Sequence, residues 1–266
     1  MGRKRAKIDV EKRLKSGFGR GKNKDYQPWL PVQGSGSHGY VSRAPGWKTG
    51  RDHHVLSNLE LDYFHLLDLS PRVVDIREQY PLLPVEETVA IAASLGIRYP
   101  TYPKTDQAVV LTTDFVITVR GEPRDVEEAR TIKPANELLS SRTIQKFQIE
   151  QIYWKVRNVS WVIVTDLDIP RNLARNLAWL HPYFKLPDSP KLPEGCPDKV
   201  DRLLRESLAR GVGLAAVAQA CDDKLGLEPG TSLGLARHFI ACRRWKVNLN
   251  EMIKPSSPLP LLDNSA

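Results

Sequence analysis

The segment from Leu111 to Pro134, LTTDFVITVRGEPRDVEEARTIKP, constrains this chain more than any other stretch. Its β-branched and apolar pattern predicts one strand over 109–119 and a second over 126–133. Gly121-Glu122-Pro123-Arg124 joins them, and Pro134 stops the second. A tight antiparallel hairpin brings Asp114, the acid that interrupts the first strand, and Lys133, which ends the second, to one end of a sheet. A carboxylate there can hold a divalent metal, and an ammonium can orient or deprotonate a water beside a phosphate. A surface strand with an ordinary salt bridge is the other reading, and two residues alone leave both open.

The flanking segments build a layer around this hairpin. Ser57 and Glu60 form a capping box for a helix with Leu59, Tyr63, Leu66 and Leu67 on one face, ended by Pro71. Glu60 is then either a cap or a second carboxylate beside Asp114. Residues 72–83 read as a strand, with Val73, Asp75, Arg77 and Gln79 on one side and Val74, Ile76, Glu78 and Tyr80 on the other. Charge on both sides means partial exposure or a site. A short helix over 86–97 has Gly96 as its C-cap, and a longer helix covers 140–157. SWVIVT, 160–165, reads as a buried strand, and Pro170 opens a closing helix. The order is that of an α/β layer fold with a mixed sheet.

The ends differ in character. Residues 1–24 are a basic arm with a short helix near 10–15. GFGRGKNK within it lacks both the GxxxxGK[ST] spacing and a preceding strand, so it is not a phosphate loop. Residues 25–51 are loop-rich, and Trp29, Tyr40 and Trp47 are expected to pack the loop onto the core, with stacking on bases as the alternative. His53 and His54 have no third ligand at zinc spacing, which leaves a structural or phosphate-contacting role. Four prolines over 186–197 mark a linker. Helices over 198–210 and 212–225, a third capped by Thr231 or Ser232 and running to Arg244, and a WKVNL strand predict a small winged-helix-like module.

Net charge +8 and a pI near 9.4 favour a polyanionic partner, nucleic acid before a membrane surface. Cys196, Cys221 and Cys242 form no CxxC pair, which argues against a zinc knuckle or disulfide framework and for a reducing compartment. The basic start has no apolar run behind it, so no secretory signal is expected, and no stretch reaches the length of a membrane span.

Six stretches carry a family resemblance: KDYQPWL, KTGRDHHVLSNLEL, VVDIREQYPLLP, TTDFVI, TIKPANEL and YWKVRNVSWVIVTD, in order across 24–166, with RRWKVNL less distinctly beyond. Together they resemble the TnsA family, endonuclease subunits of heteromeric cut-and-paste transposons. The resemblance implies a restriction-endonuclease-like mixed sheet flanked by helices over 25–185. It also implies a mostly helical, winged-helix-like domain over 198–266 for partner or DNA contacts. It implies Glu60, Asp114 and Lys133 as catalytic residues. One or two Mg²⁺ ions, with Mn²⁺ as a substitute, would be held by Glu60, Asp114 and the backbone carbonyl of Ile132. Where many nucleases of this fold have an acid, and similar TnsA-type sequences a glutamine, this chain has Thr131. A threonine can hold a metal-bound water but adds no charge.

The implied setting is the bacterial cytoplasm, at the nucleoid. The non-transferred strand is cut near the transposon's 5′ ends beside a TnsB transposase that handles the 3′ ends, with a TnsC AAA+ ATPase contacted through the C-terminal region. Arg3, Lys4, Arg5, Lys12, Arg13, His53, His54, Arg243 and Arg244 are candidate DNA contacts, or for the arginines and lysines a solvated charged face. A non-catalytic DNA-binding adaptor that recruits the same partners, and a stand-alone nuclease, are the competing readings.

Overall fold

A computed structural model of the chain describes residues 9–31, 42–186 and 192–262. Arg3, Lys4, Arg5, Tyr40 and residues 187–191 of the proline-rich stretch lie outside them. The chain divides into two compact units at Ile169 and Pro170, and not at the proline-rich stretch.

The first unit contains α1 (Val10–Lys15), β1 (Ser42–Pro45), β2 (Asp52–Val55), α2 (Asn58–Leu69), β3 (Val73–Pro81), α3 (Val85–Ser94), β4 (Thr112–Val119), β5 (Val126–Ile132), α4 (Ser141–Val156) and β6 (Ser160–Val164). β1 and β2 form a small antiparallel ribbon. The main sheet runs β3-β4-β5-β6, antiparallel except for the parallel β5–β6 pair, so it is mixed as expected. Helices cover both faces. From α4, Tyr153 and Trp154 pack on Leu82, Val116 and Ala129, while Tyr63 of α2 meets Phe115 with ring centroids 5.9 Å apart.

Two strands depart from the alternation pattern. β4 starts at Thr112, because the residues before it are taken up elsewhere: Ala108 bridges to Thr101, and Val109 N–H donates to the Pro100 carbonyl. β6 is not the buried strand its composition suggests. It pairs only with β5 among the described strands, and Val162 is 45% exposed. The glycine-rich stretch after α1 packs on the sheet and makes no phosphate cradle. Gly19 has φ +72°, and a Cβ there would stand 2.4 Å from Pro81 Cγ, so only glycine lets this turn lie on β3.

The second unit contains α5 (Arg171–Leu180), α6 (Cys196–Leu208), α7 (Leu214–Leu225) and α8 (Thr231–Ala241). Its core includes Leu180, Val200, Leu204, Leu214, Leu235, Phe239 and Trp245. α5, grouped by the sequence reading with the sheet, belongs to this core. Neither Thr231 nor Ser232 caps α8. Asp222 of α7 does so instead, accepting from the Gly230 and Ser232 N–H groups at 2.8 Å each. Asp222→Ala is expected to lower unfolding free energy by about 1–2 kcal/mol in urea titrations, as loss of a cap does. α8 ends at Ala241, three residues early, because Arg243 turns left-handed at φ +62° and sends Trp245 inward. WKVNL therefore forms no strand. The Trp245 indole donates to Asp201 at 2.5 Å, and only a single bridge joins Lys246 to Leu262. The unit is helical, without a wing strand among the described residues.

Candidate active site

The β4–β5 ladder runs from Val119–Val126 to Phe115–Arg130 and then opens. Beyond that point the Ile132 N–H donates to Asp114 Oδ2 at 2.7 Å. A side-chain carboxylate thus replaces the backbone acceptor that a continuing ladder would supply. The two strands part around Asp114, and the sheet itself fixes the position of the acid.

Glu60 reaches the same place from α2. It caps: its N–H donates to Ser57 Oγ at 3.1 Å, and its carboxylate accepts from the Ser57 hydroxyl at 3.0 Å and the Leu56 N–H at 2.9 Å. Its Oε2 also accepts from Gln79 Nε2 at 3.2 Å, and the same nitrogen lies 3.5 Å from Asp114 Oδ1. The two readings of Glu60 are therefore compatible, since a single carboxylate both caps and faces Asp114.

Lys133 follows the last residue of β5. Its N–H donates to the Val164 carbonyl, and its Nζ pairs with Glu137 at 2.8 Å. Burial, then the charge of Asp114, raises the Glu60 pKa well above the usual carboxylate range. Burial also raises Asp114, against the opposing effects of the Ile132 N–H, Lys133 and Gln79. Two desolvated acids sharing one donor form an unbalanced negative site, the kind a hard cation neutralises. Among the described residues no group of three or more His, Cys, Asp or Glu side chains gathers as a metal cage. Any cation here would need neutral oxygens to complete its shell.

Thr131 is engaged away from this pocket. Its hydroxyl donates to Glu150 Oε1 at 2.5 Å and accepts from the Trp161 indole at 3.0 Å. From β4, Thr113 does the same, donating to Glu150 Oε1 at 2.6 Å and accepting from the Trp154 indole at 2.7 Å. Two Trp–Thr relays thus end on one oxygen of a fully buried acid, whose pKa burial pushes up to about 7. The water-holding role expected of Thr131 gives way to this network.

Sequence reasoning missed Glu150 and Gln79. The available signals were a Glu amid the apolar positions of α4 and four polar residues, 75 and 77–79 on either side of Ile76, in a nine-residue strand.

His53 is buried, so its ring is not presented to a phosphate at the surface. Its Nδ1 lies 2.7 Å from Glu78 Oε2, and its Nε2 lies 2.7 Å from the Thr49 hydroxyl. Arg51 adds a two-pronged ion pair to Glu78 at 2.6 and 2.7 Å, and the His54 N–H donates to Glu78 at 3.0 Å. The role is structural, tying the β1–β2 ribbon to β3. Two other candidate DNA contacts are also occupied. The Arg13 guanidinium lies 4.4 Å over the Phe18 ring, and Arg244 binds Asp198 and Asp201 at 2.6–2.9 Å. Lys12 and Arg243 are exposed.

A helix-flanked mixed sheet, with two facing acids at a strand fork and a lysine at the strand end, is the arrangement that the resemblance to restriction-endonuclease-like domains implies. A family model described as TnsA-like endonuclease N terminal matches residues 70–166, and one described as TnsA endonuclease C terminal matches 168–249. The transposon Tn7 transposition protein TnsA of Escherichia coli is 40% identical over 176 residues, 66% of this chain and 63% of that protein. The chain belongs to the TnsA endonuclease family. No helix among its described residues is long and apolar enough to cross a membrane.

Proposed function

We propose that this chain is a Mg²⁺-dependent DNA endonuclease that cuts the non-transferred strand at the 5′ ends of a transposon. One observation carries the reading: Glu60 and Asp114 converge on one amide at a strand fork closed by Lys133. Family membership and the similarity to a Tn7 transposition protein of Escherichia coli support the transposition setting. Two carboxylates, the Ile132 carbonyl, waters and a phosphate oxygen make a donor set that suits Mg²⁺, which keeps several waters and takes few protein ligands. When bound, the ion neutralises the scissile phosphate and lowers the pKa of a water.

The chain's own groups do the rest. Asp114 and Glu60 supply the negative charge that locates the ion. Lys133 and Glu137 form an exposed pair, with side chains 34% and 49% accessible. Such pairs contribute at most about 1 kcal/mol, so the ammonium can exchange Glu137 for a phosphate oxygen or the attacking water. There it orients the nucleophile and offsets charge on the pentacoordinate phosphorus. Water oxygen bonds to phosphorus as the P–O3′ bond breaks. The leaving O3′ takes a proton, and a 5′ phosphate remains. The second unit is assigned to contacts with a TnsC-type ATPase, and a TnsB-type transposase makes the 3′ cuts in the bacterial cytoplasm.

The test uses end-labelled transposon DNA with the TnsB- and TnsC-type partners in Mg²⁺. With this chain present, both strands are cut, and the 5′-side product carries a phosphate. Without it, only the 3′ cut appears. A 5′ cut that persists without the chain would overturn the proposal, and a 3′ cut alone with the chain present would establish the adaptor reading.

A further inference from the structure

Gln79 occupies an unusual place. β3 pairs with β4 through Glu78–Phe115 and Tyr80–Thr113, and between these pairs Gln79 and Asp114 drop out of the ladder. At that point Gln79 takes φ +49°, a left-handed conformation that non-glycine residues rarely hold within a strand. Its carbonyl is turned aside to accept from the Trp29 N–H at 3.2 Å. The strain therefore has an outside support in a neighbouring loop. Its effect is to aim a buried amide between the two carboxylates instead of along the pleat. Strained backbone held by its surroundings is often found where a side chain has a job to do.

The amide presents its nitrogen to Glu60 and Asp114, while its Oε1 has only a long contact, 3.4 Å, from the Thr112 hydroxyl. The nitrogen stands where a cation shared by the two acids would sit. A hydroxyl can donate or accept, so Thr112 serves an amide in either orientation.

We infer that Gln79 is part of the metal site: without metal its NH₂ group bridges Glu60 and Asp114, and on metal binding the amide turns over so that Oε1 joins them as a neutral ligand. This rests on the endonuclease reading above. It explains how a pocket with only two facing acids gains a further oxygen from a side chain.

The experiment is calorimetric titration of the full chain with Mn²⁺, without DNA, for wild type, Gln79→Leu and Gln79→Glu, with Glu60→Gln as a control. Wild type binds, and Glu60→Gln binds far more weakly. If wild type binds nothing, or the control binds as well as wild type, the metal-site reading itself fails and this inference falls with it. With that reading intact, Gln79→Leu is expected to weaken binding about 10- to 100-fold, as loss of a supporting metal-site group does. Gln79→Glu, which keeps an oxygen in place, binds at least as tightly as wild type. If Gln79 only clamps the acids, Gln79→Leu removes a competitor for them and binds Mn²⁺ as tightly or more so, which overturns the inference. Should Gln79→Leu fail to fold, Gln79→Glu decides: a tenfold loss of affinity in that near-isosteric variant is equally fatal.

Discussion

Asp114→Asn is expected to cut DNA at least about 10³-fold more slowly than the parent chain, while unfolding at no lower temperature in metal-free buffer. The rate follows from losing one of two metal-facing charges, an effect of several kcal/mol at the transition state, where about 1.4 kcal/mol is a factor of ten. The retained stability follows from the fork. Asparagine keeps an oxygen for the Ile132 N–H, which Asp114 now binds at 2.7 Å, and removes a charge that burial disfavours. Alanine is the wrong probe, because it strands that N–H at a cost of about 1–3 kcal/mol and confuses chemistry with folding. Single-turnover cleavage beside thermal melts checks both halves. A residual rate within tenfold of wild type would remove Asp114 from the chemistry.

Glu78→Ala is expected to destabilise the first unit by about 3–5 kcal/mol, the usual result of breaking a buried ion pair from one side. Arg51 and His53 would lose their shared partner in a site where the Glu78 side chain has no exposure. Burial acts to raise the Glu78 pKa, but the charge and hydrogen bonds of His53 and Arg51 outweigh it and hold the pKa well below the usual range. Since the folded value is lowered, the stabilisation is complete above the unfolded glutamate's pKa of about 4.3 and is lost as pH falls through the folded value. Urea titrations at pH 7 should show the full difference, and it should shrink on acidification below about pH 4. Equal stability of the two proteins at pH 7 would show that the network is not a strut.

The hairpin, Asp114, Lys133 and the helix cap at Glu60 were legible in the sequence because each depends on local pattern: alternation, a turn and a capping box. The meeting of Glu60 with Asp114 was implied by the family resemblance and not by spacing. The polar residues around Ile76 flagged the strand but not the role of Gln79, since alternation places it beside Asp75 and Arg77, and the bond from Trp29 shows why the pleat breaks there. Asp222 escaped notice for a similar reason, as a cap supplied from another helix leaves no mark near Thr231. The exposure of β6 depends on what lies at the sheet edge, which its apolar composition does not encode.

The bond from Ile132 to Asp114 has a bearing on how relatives of this chain should be read. An aspartate that also fastens two strands is under mechanical selection as well as chemical selection. A descendant that had given up cutting, and served only as a scaffold, would still need an oxygen at this position and would show Asp or Asn there. Lys133 has no comparable structural duty, because its amine makes a partly exposed ion pair with Glu137 and fastens no strands together. In a set of such sequences, loss of the lysine would be the earlier and more informative sign of a retired enzyme, and persistence of the aspartate would say little about catalysis.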